Sequence, residues 1–180
     1  MDPRIERTRS ALAAAVLELV ETRDFDSVTI ADIVKRAGIG YATFFRHYRD
    51  KDELLLDVAE SLNRELLATM IPALRDDDTR AAALTLCHFV DEHRGICRAL
   101  LGGGAERQIR RLLIERSLRW ADSAGLPDPP GLPPRLAIDH SVRSMIGLLS
   151  WWLEQEPELD CVEMAVIIDR LVLTPVRKVG

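Results

Sequence analysis

The chain of 180 residues, 47% apolar and 29% charged, has the composition of a folded globular protein with room for one large domain or two small ones, which excludes general disorder. No signal-type apolar stretch opens it, no run approaches the ~20 apolar residues that span a bilayer, and its three cysteines (Cys87, Cys97, Cys161) are an odd, sparse set, so a cytoplasmic protein with reduced thiols and no membrane partner is expected. The formal net charge of −5 argues at first against nucleic acid, but residues 1–51 carry 9 Lys/Arg against 8 Asp/Glu while residues 52–180 carry 15 against 21.

Apolar residues recur every three or four positions, without strand-like alternation, and predict an all-α fold punctuated by Gly and Pro. A first helix is expected over residues 5–22, with Ile5, Thr8, Leu12, Val16, Leu19 and Val20 on one stripe. Helices over 29–37, 41–48 and 51–70 follow, the last limited by Pro72. Asp76, Asp77 and Asp78 read as a solvated link with helix-starting character. Helices over 79–93, near 96–101 and over 106–123 come next, separated by Gly95 and by Gly102, Gly103 and Gly104. Residues 125–134, with five prolines and two glycines, read as irregular loop, and two helices at about 135–155 and 158–173 close the chain.

The segment from Thr29 to Lys51 carries the chemistry. Thr29 can cap a helix whose Asp32 stands at the reciprocal position of a capping box. Ile30, Ile33, Val34 and Ala37 give that helix one buried face, and Gly38 supplies the positive φ that ends it. Only Ile39 and Gly40 precede the next helix, so the two must cross steeply, as in a helix-turn-helix. On the second helix Phe44 and Tyr48 share the core face, while Ala42, Arg46 and Arg49 point the other way, flanked by Tyr41 and Phe45 and by Thr43 and His47. Ala42 lets the backbone approach base edges, Tyr41 and Thr43 can hydrogen-bond base or phosphate, and Arg46, His47 and Lys51 can reach phosphates. The window 33–51 holds five Lys/Arg against Asp50 alone, a basic tip on an acidic body that orients the tip toward DNA.

This run, TIADIVKRAGIGYATFFRHYRDKDELL, resembles the DNA-binding signature of the tetracycline-repressor (TetR) family. Gly40 stands where that family often has Ser, and Phe45 where Tyr is common. The resemblance covers about the first third of the chain; beyond it only length and helical layout match. It implies Thr29, Tyr41, Ala42, Thr43, Phe45, His47 and Lys51 at the DNA. It also implies a three-helix DNA-binding domain (1–50), then a helical effector-binding and dimerisation domain (51–180) entered through a connecting helix (51–71). The dimer would be held by a four-helix bundle, two helices from each subunit.

The closing helices are apolar on more than one side, which calls for a second partner. Val142, Ile146, Leu149, Trp152, Val166 and Leu173 are the interface candidates. A homodimer sets two recognition helices ~34–36 Å apart, the spacing of successive major grooves on a palindrome. The middle helices are expected to enclose a pocket for a small apolar effector. Leu84, Phe89, Leu100, Leu113, Leu118 and Trp120 are wall candidates, with Cys87, His88, His93, Met145 and Trp151 adding polar or polarisable contacts. Plain core packing is the competing reading for each. His88 and His93 lie about 140° apart around a helix and cannot share one ion, so no metal, cofactor or enzymatic role is expected. A helical interaction module without regulatory DNA binding is the alternative function, and repressor against activator stays open.

Overall fold

The computed structural model describes residues 3–102, 106–124, 128–155 and 158–177. It is helical wherever it is regular. Helix α1 (Pro3–Val20) starts on a proline, whose missing N–H is no loss in a first turn, and buries Leu12, Ala15, Val16 and Val20. A 3-10 turn (Phe25–Ser27) leads to α2 (Ile30–Ala37) and α3 (Tyr41–His47). Leu12, Val16, Phe25, Ile33 and Phe44 meet in one core, and the first turns of α4 (Lys51–Arg75) complete it with Leu54, Leu55 and Val58. The expected division at residues 50 and 51 is therefore not a break in packing, because α4 belongs to the first core before it enters the body.

The body comprises α5 (Thr79–Glu92), α6 (Arg94–Gly102), α7 (Glu106–Ala124), α8 (Pro134–Gln155) and α9 (Cys161–Ile168). Helix α9 continues through a π turn (Asp169–Leu173) into α10 (Thr174–Arg177). Asp78 and Asp160 cap α5 and α9, each carboxylate accepting from the backbone N–H three residues on. Gly103, Gly104 and the first residues of the expected 125–134 loop lie outside the described residues. Among the described residues no helix is long and apolar enough to cross a membrane.

Two expectations fail here. Pro72 does not end its helix: α4 runs on to Arg75, and the Asp76 N–H closes the last turn on the Pro72 carbonyl oxygen (3.1 Å). One turn short of the end, a proline forfeits a single hydrogen bond, and burial of Met70 and packing of Leu74 against the body core offset that loss. Gly95, read as a separator, lies inside the start of α6. A β-carbon there would sit 2.6 Å from the Val20 carbonyl oxygen at the end of α1. The bare backbone is what lets α6 lie against α1.

Gly95→Ala therefore forces backbone to move and should cost about 1–3 kcal/mol. At about 2–4 °C per kcal/mol for a chain of this size, the thermal midpoint falls by several degrees while the helical circular dichroism spectrum is kept.

Candidate nucleic-acid interface

Helix α2 is fixed at both ends as its sequence requires. Thr29 has extended backbone and its Oγ1 accepts from the Asp32 N–H (3.2 Å), while Asp32 Oδ2 accepts from the Thr29 N–H (3.0 Å) and hydroxyl (2.7 Å). These bonds, with Arg23 at 3.3 Å, hold the Asp32 carboxyl down to about 2. Gly38 ends the helix in the left-handed region (φ 67°, ψ 31°), and the Ile39 N–H returns to the Val34 carbonyl oxygen (3.0 Å). The chain re-enters helix at once. Gly40, extended at φ −86° and ψ 155°, offers its carbonyl to the Thr43 and Phe44 N–H groups and no side-chain cap.

Helix α3 divides as its wheel predicts. Phe44 is wholly buried and Tyr48 nearly so, their rings 5.9 Å apart. Tyr41 (51%) and Phe45 (54%) stand exposed beside Ala42 and Arg46, with Thr43 and His47 half-buried on the flank. Phe45 keeps an edge-on contact with Phe44 (5.4 Å between ring centres), and the rest of both exposed rings is left open to a partner. Among the described residues Arg46 has no ion-pair partner. Arg49, expected on the same face, is tied to Glu53, which accepts from both its guanidinium (3.1 Å) and its backbone N–H (2.7 Å).

Two residues expected at the DNA are engaged within the tip itself. Lys51 Nζ donates to the carbonyl oxygens of Phe25 (2.8 Å), Asp26 (3.0 Å) and Val28 (2.9 Å), and lies 4.6 Å from the centre of the Phe25 ring. All three protons of the ammonium are committed: the Asp26 and Val28 carbonyls receive no backbone N–H at the end of the 3-10 turn, and the Phe25 carbonyl is shared with the Val28 N–H (3.0 Å). Thr29 has its single hydroxyl proton on Asp32. Both residues shape the tip and do not present a free donor to DNA.

A carboxylate that sequence reasoning missed binds the tip together. Asp57, on α4, receives the Tyr48 hydroxyl on Oδ2 (2.6 Å) and the Arg9 guanidinium on both oxygens. Burial and the neighbouring Asp57 push the Tyr48 phenol up to about 12, so it remains a donor at any ordinary pH. The available signal was Tyr48 itself, since a tyrosine on a core face needs a partner for its hydroxyl.

In the body a cavity of about 520 Å³ lies between α4, α5, α6, α7 and α8 and reaches α10. Phe89, Leu100, Leu113, Trp120 and Met145 line it. Leu84 instead packs half-buried in the body core and His88 is exposed. Trp151 is 46% exposed on the outer side of α8. Leu118 packs beside Val142 and Ile146, and Cys87 is buried in the core. His93 stacks on Phe89 at 4.4 Å and donates from Nδ1 to its carbonyl oxygen (2.8 Å).

The interface candidates move the opposite way. Val142, Ile146, Leu149 and Leu173 line the cavity, and Trp152 is buried (1%) with Nε1 donating to the Leu159 carbonyl oxygen (3.1 Å). Only Val166 keeps part of its surface outside. A helix apolar on two sides shows two contacts, and its wheel does not say which is internal.

Lys51→Met removes charge-assisted bonds that each contribute about 1.5–3 kcal/mol. A urea melt should show a loss of at least that size, and a DNA titration on the folded fraction should keep the slope of affinity against salt.

Residues 12–58 match the family model described as "Bacterial regulatory proteins, tetR family". A curated relative, an uncharacterized HTH-type transcriptional regulator (YxbF) of Bacillus subtilis, is 32% identical over 111 residues, covering 53% of this chain and 29% of that protein, so the chain spans under a third of its relative's length. A putative TetR-family regulator from Syntrophomonas wolfei superposes with a TM-score of 0.73 at 13% identity, over 97% of each chain. The regulator FadR from Bacillus subtilis, solved with stearoyl-CoA, superposes at 0.63 and 13% identity over 92% of this chain and 97% of its own. The helix-turn-helix domain of this chain belongs to the tetR family of bacterial regulatory proteins, and the helices that follow carry the fold of solved regulators of that family.

Proposed function

We propose that the protein is a ligand-responsive transcriptional repressor that binds a palindromic operator as a homodimer. The observation that carries this reading is the outer face of α3, where Tyr41, Ala42, Phe45 and Arg46 are exposed while Phe44 and Tyr48 hold the helix in place. Ala42 gives the closest backbone approach and a contact for a thymine methyl. Tyr41 and Thr43 hydrogen-bond base or phosphate, Phe45 packs on the sugar–phosphate edge, and Arg46 and His47 take phosphates.

The dimer rests on the outer sides of α8 and α9. Trp151 and the half-buried Leu148 lie on α8 beside Gly147, where a β-carbon would meet nothing within 4 Å. Val162 (50%) is exposed on α9 and Leu171 (62%) on its continuation. An exposed Trp one turn from an open glycine suits a second helix crossing closely at that point. The cavity supports effector binding, as does the acyl-CoA named for the FadR neighbour. An effector acts by binding one spacing of the two recognition helices better than the other.

Selection of bound DNA from a random pool tests the central reading. A symmetric site is expected, with half-sites about one helical turn apart and affinity falling steeply with salt. Arg46→Ala should weaken binding on all sequences alike and reduce the salt slope by about 1. No salt-dependent binding to any sequence would leave the helical interaction module as the function. In sedimentation, Trp151→Glu should convert a dimer to monomers that remain folded; a dimer that persists moves the interface elsewhere.

A further inference from the structure

The cavity is apolar, and two of its polar side chains are unusual. Asn63 on α4 and Ser141 on α8 each expose only 9% of their surface, line the cavity, and hydrogen-bond to no described residue. Their polar atoms are not sealed in the packing and keep access to the cavity. A helical hydroxyl can be met within its own helix by the carbonyl four residues earlier, as those of Thr69 and Thr85 are by Glu65 and Ala81 (2.8 and 2.9 Å). Ser141 leaves its hydroxyl for the cavity, and Asn63 leaves an acceptor and two donors. Buried polar groups are normally hydrogen-bonded, so an unmet pair facing an apolar hollow marks the place of a ligand's polar group.

The charges around the cavity select among polar groups. Among the described residues its lining holds Asp122 and Asp128 against one cation, Arg177. That guanidinium is engaged by Asp77 Oδ1 (3.2 Å) and the Leu74 carbonyl oxygen (3.0 Å). An anionic headgroup would meet two carboxylates and a guanidinium already paired, and would lose its hydration without compensation.

We propose that the cavity takes a neutral, mainly apolar molecule with one uncharged hydrogen-bonding group, such as an alcohol, ketone or amide, which docks on Asn63 with Ser141 as second partner. This rests on the reading of the cavity as an effector site and narrows it away from free fatty acids and CoA thioesters. Asn63 is six residues beyond Asp57 on the same helix, so the ligand's polar group is read by the element that fastens the DNA-binding tip.

The test uses the full chain and displacement of a neutral fluorophore, N-phenyl-1-naphthylamine, by three octyl compounds at pH 7.5: 1-octanol, octanoate and 1-chlorooctane. 1-Octanol is expected to displace the probe at least about tenfold more effectively than octanoate, the loss that an unpaired buried charge predicts. In Asn63→Leu, 1-octanol should lose about fivefold or more while 1-chlorooctane loses nothing, and Ser141→Ala should shift the same ratio less. Octanoate binding as tightly as 1-octanol overturns the neutral headgroup and leaves the effector site standing. Equal losses for the alcohol and the chloride overturn the role of Asn63, and Ser141→Ala decides if Asn63→Leu does not fold. Failure of the fluorophore and of every octyl compound to bind, with no shift in thermal midpoint, removes the effector site itself.

Discussion

The tip of this molecule depends on one carboxylate. Asp57 projects from the second turn of α4 and holds the Arg9 guanidinium of α1 and the hydroxyl of Tyr48, the residue that closes α3. Hydrogen bonds to an ionised acceptor are roughly twice as strong as neutral ones, and here three elements converge on a single acceptor. One and a half turns earlier, Lys51 gathers three carbonyls at the end of the 3-10 turn. The first turns of α4 therefore clamp both α3 and the segment entering α2. The orientation of α3, and of every side chain on its outer face, is inherited from that clamp.

Helix α4 is also the body's longest structural member. Beyond Asp57 it pairs Glu60 with Arg116 of α7, lines the cavity with Leu62, Asn63, Leu66 and Met70, and ends where the Leu74 carbonyl receives Arg177. Its continuity past Pro72 matters for this reason, because a helix ending at Met70 would lose the Arg177 anchor at its far end. A single rod with one end in the DNA-binding core and the other around the cavity cannot adjust at the cavity without carrying Asp57 along.

What was legible in the sequence follows from what each signal encodes. Caps and periodicity are local, so Thr29, Asp32, Gly38 and the inward pair Phe44 and Tyr48 could be placed from spacing alone. The outward face of α3 was legible for the same reason. The inward bonds of Lys51 were not legible because a lysine beside a recognition helix looks like a phosphate ligand until the carbonyls of Phe25, Asp26 and Val28, 23 to 26 residues away, are brought to it. The Asp57 clamp was missed because its partners are 9 and 48 residues distant and nothing local distinguishes Asp57 from a solvated acid. Trp152, expected at an interface, is buried in the body core, and Trp151, expected in the pocket, is exposed, for a rotational reason. Adjacent residues differ by about 100° around a helix, and on a helix apolar on two sides only tertiary packing decides which tryptophan turns inward.

Helix α6 supplies the second tie between body and tip, and it is steric where the first is electrostatic. One side of α6 gives Cys97, Leu100 and Leu101 to the cavity, while Ile96, Ala99 and the bare backbone of Gly95 meet the tip's core and the end of α1. With no room between Gly95 and Val20, α6 cannot shift toward α1 without displacing it, and α1 carries Arg9 onto Asp57. On the proposed reading, a ligand that repositions α6 and one that repositions α4 reach the same carboxylate from two sides. The tip therefore has two arrangements available only if both ties move together. A closely packed interior resists graded deformation, so such coupled movement takes the form of a switch between discrete states that a ligand can bias.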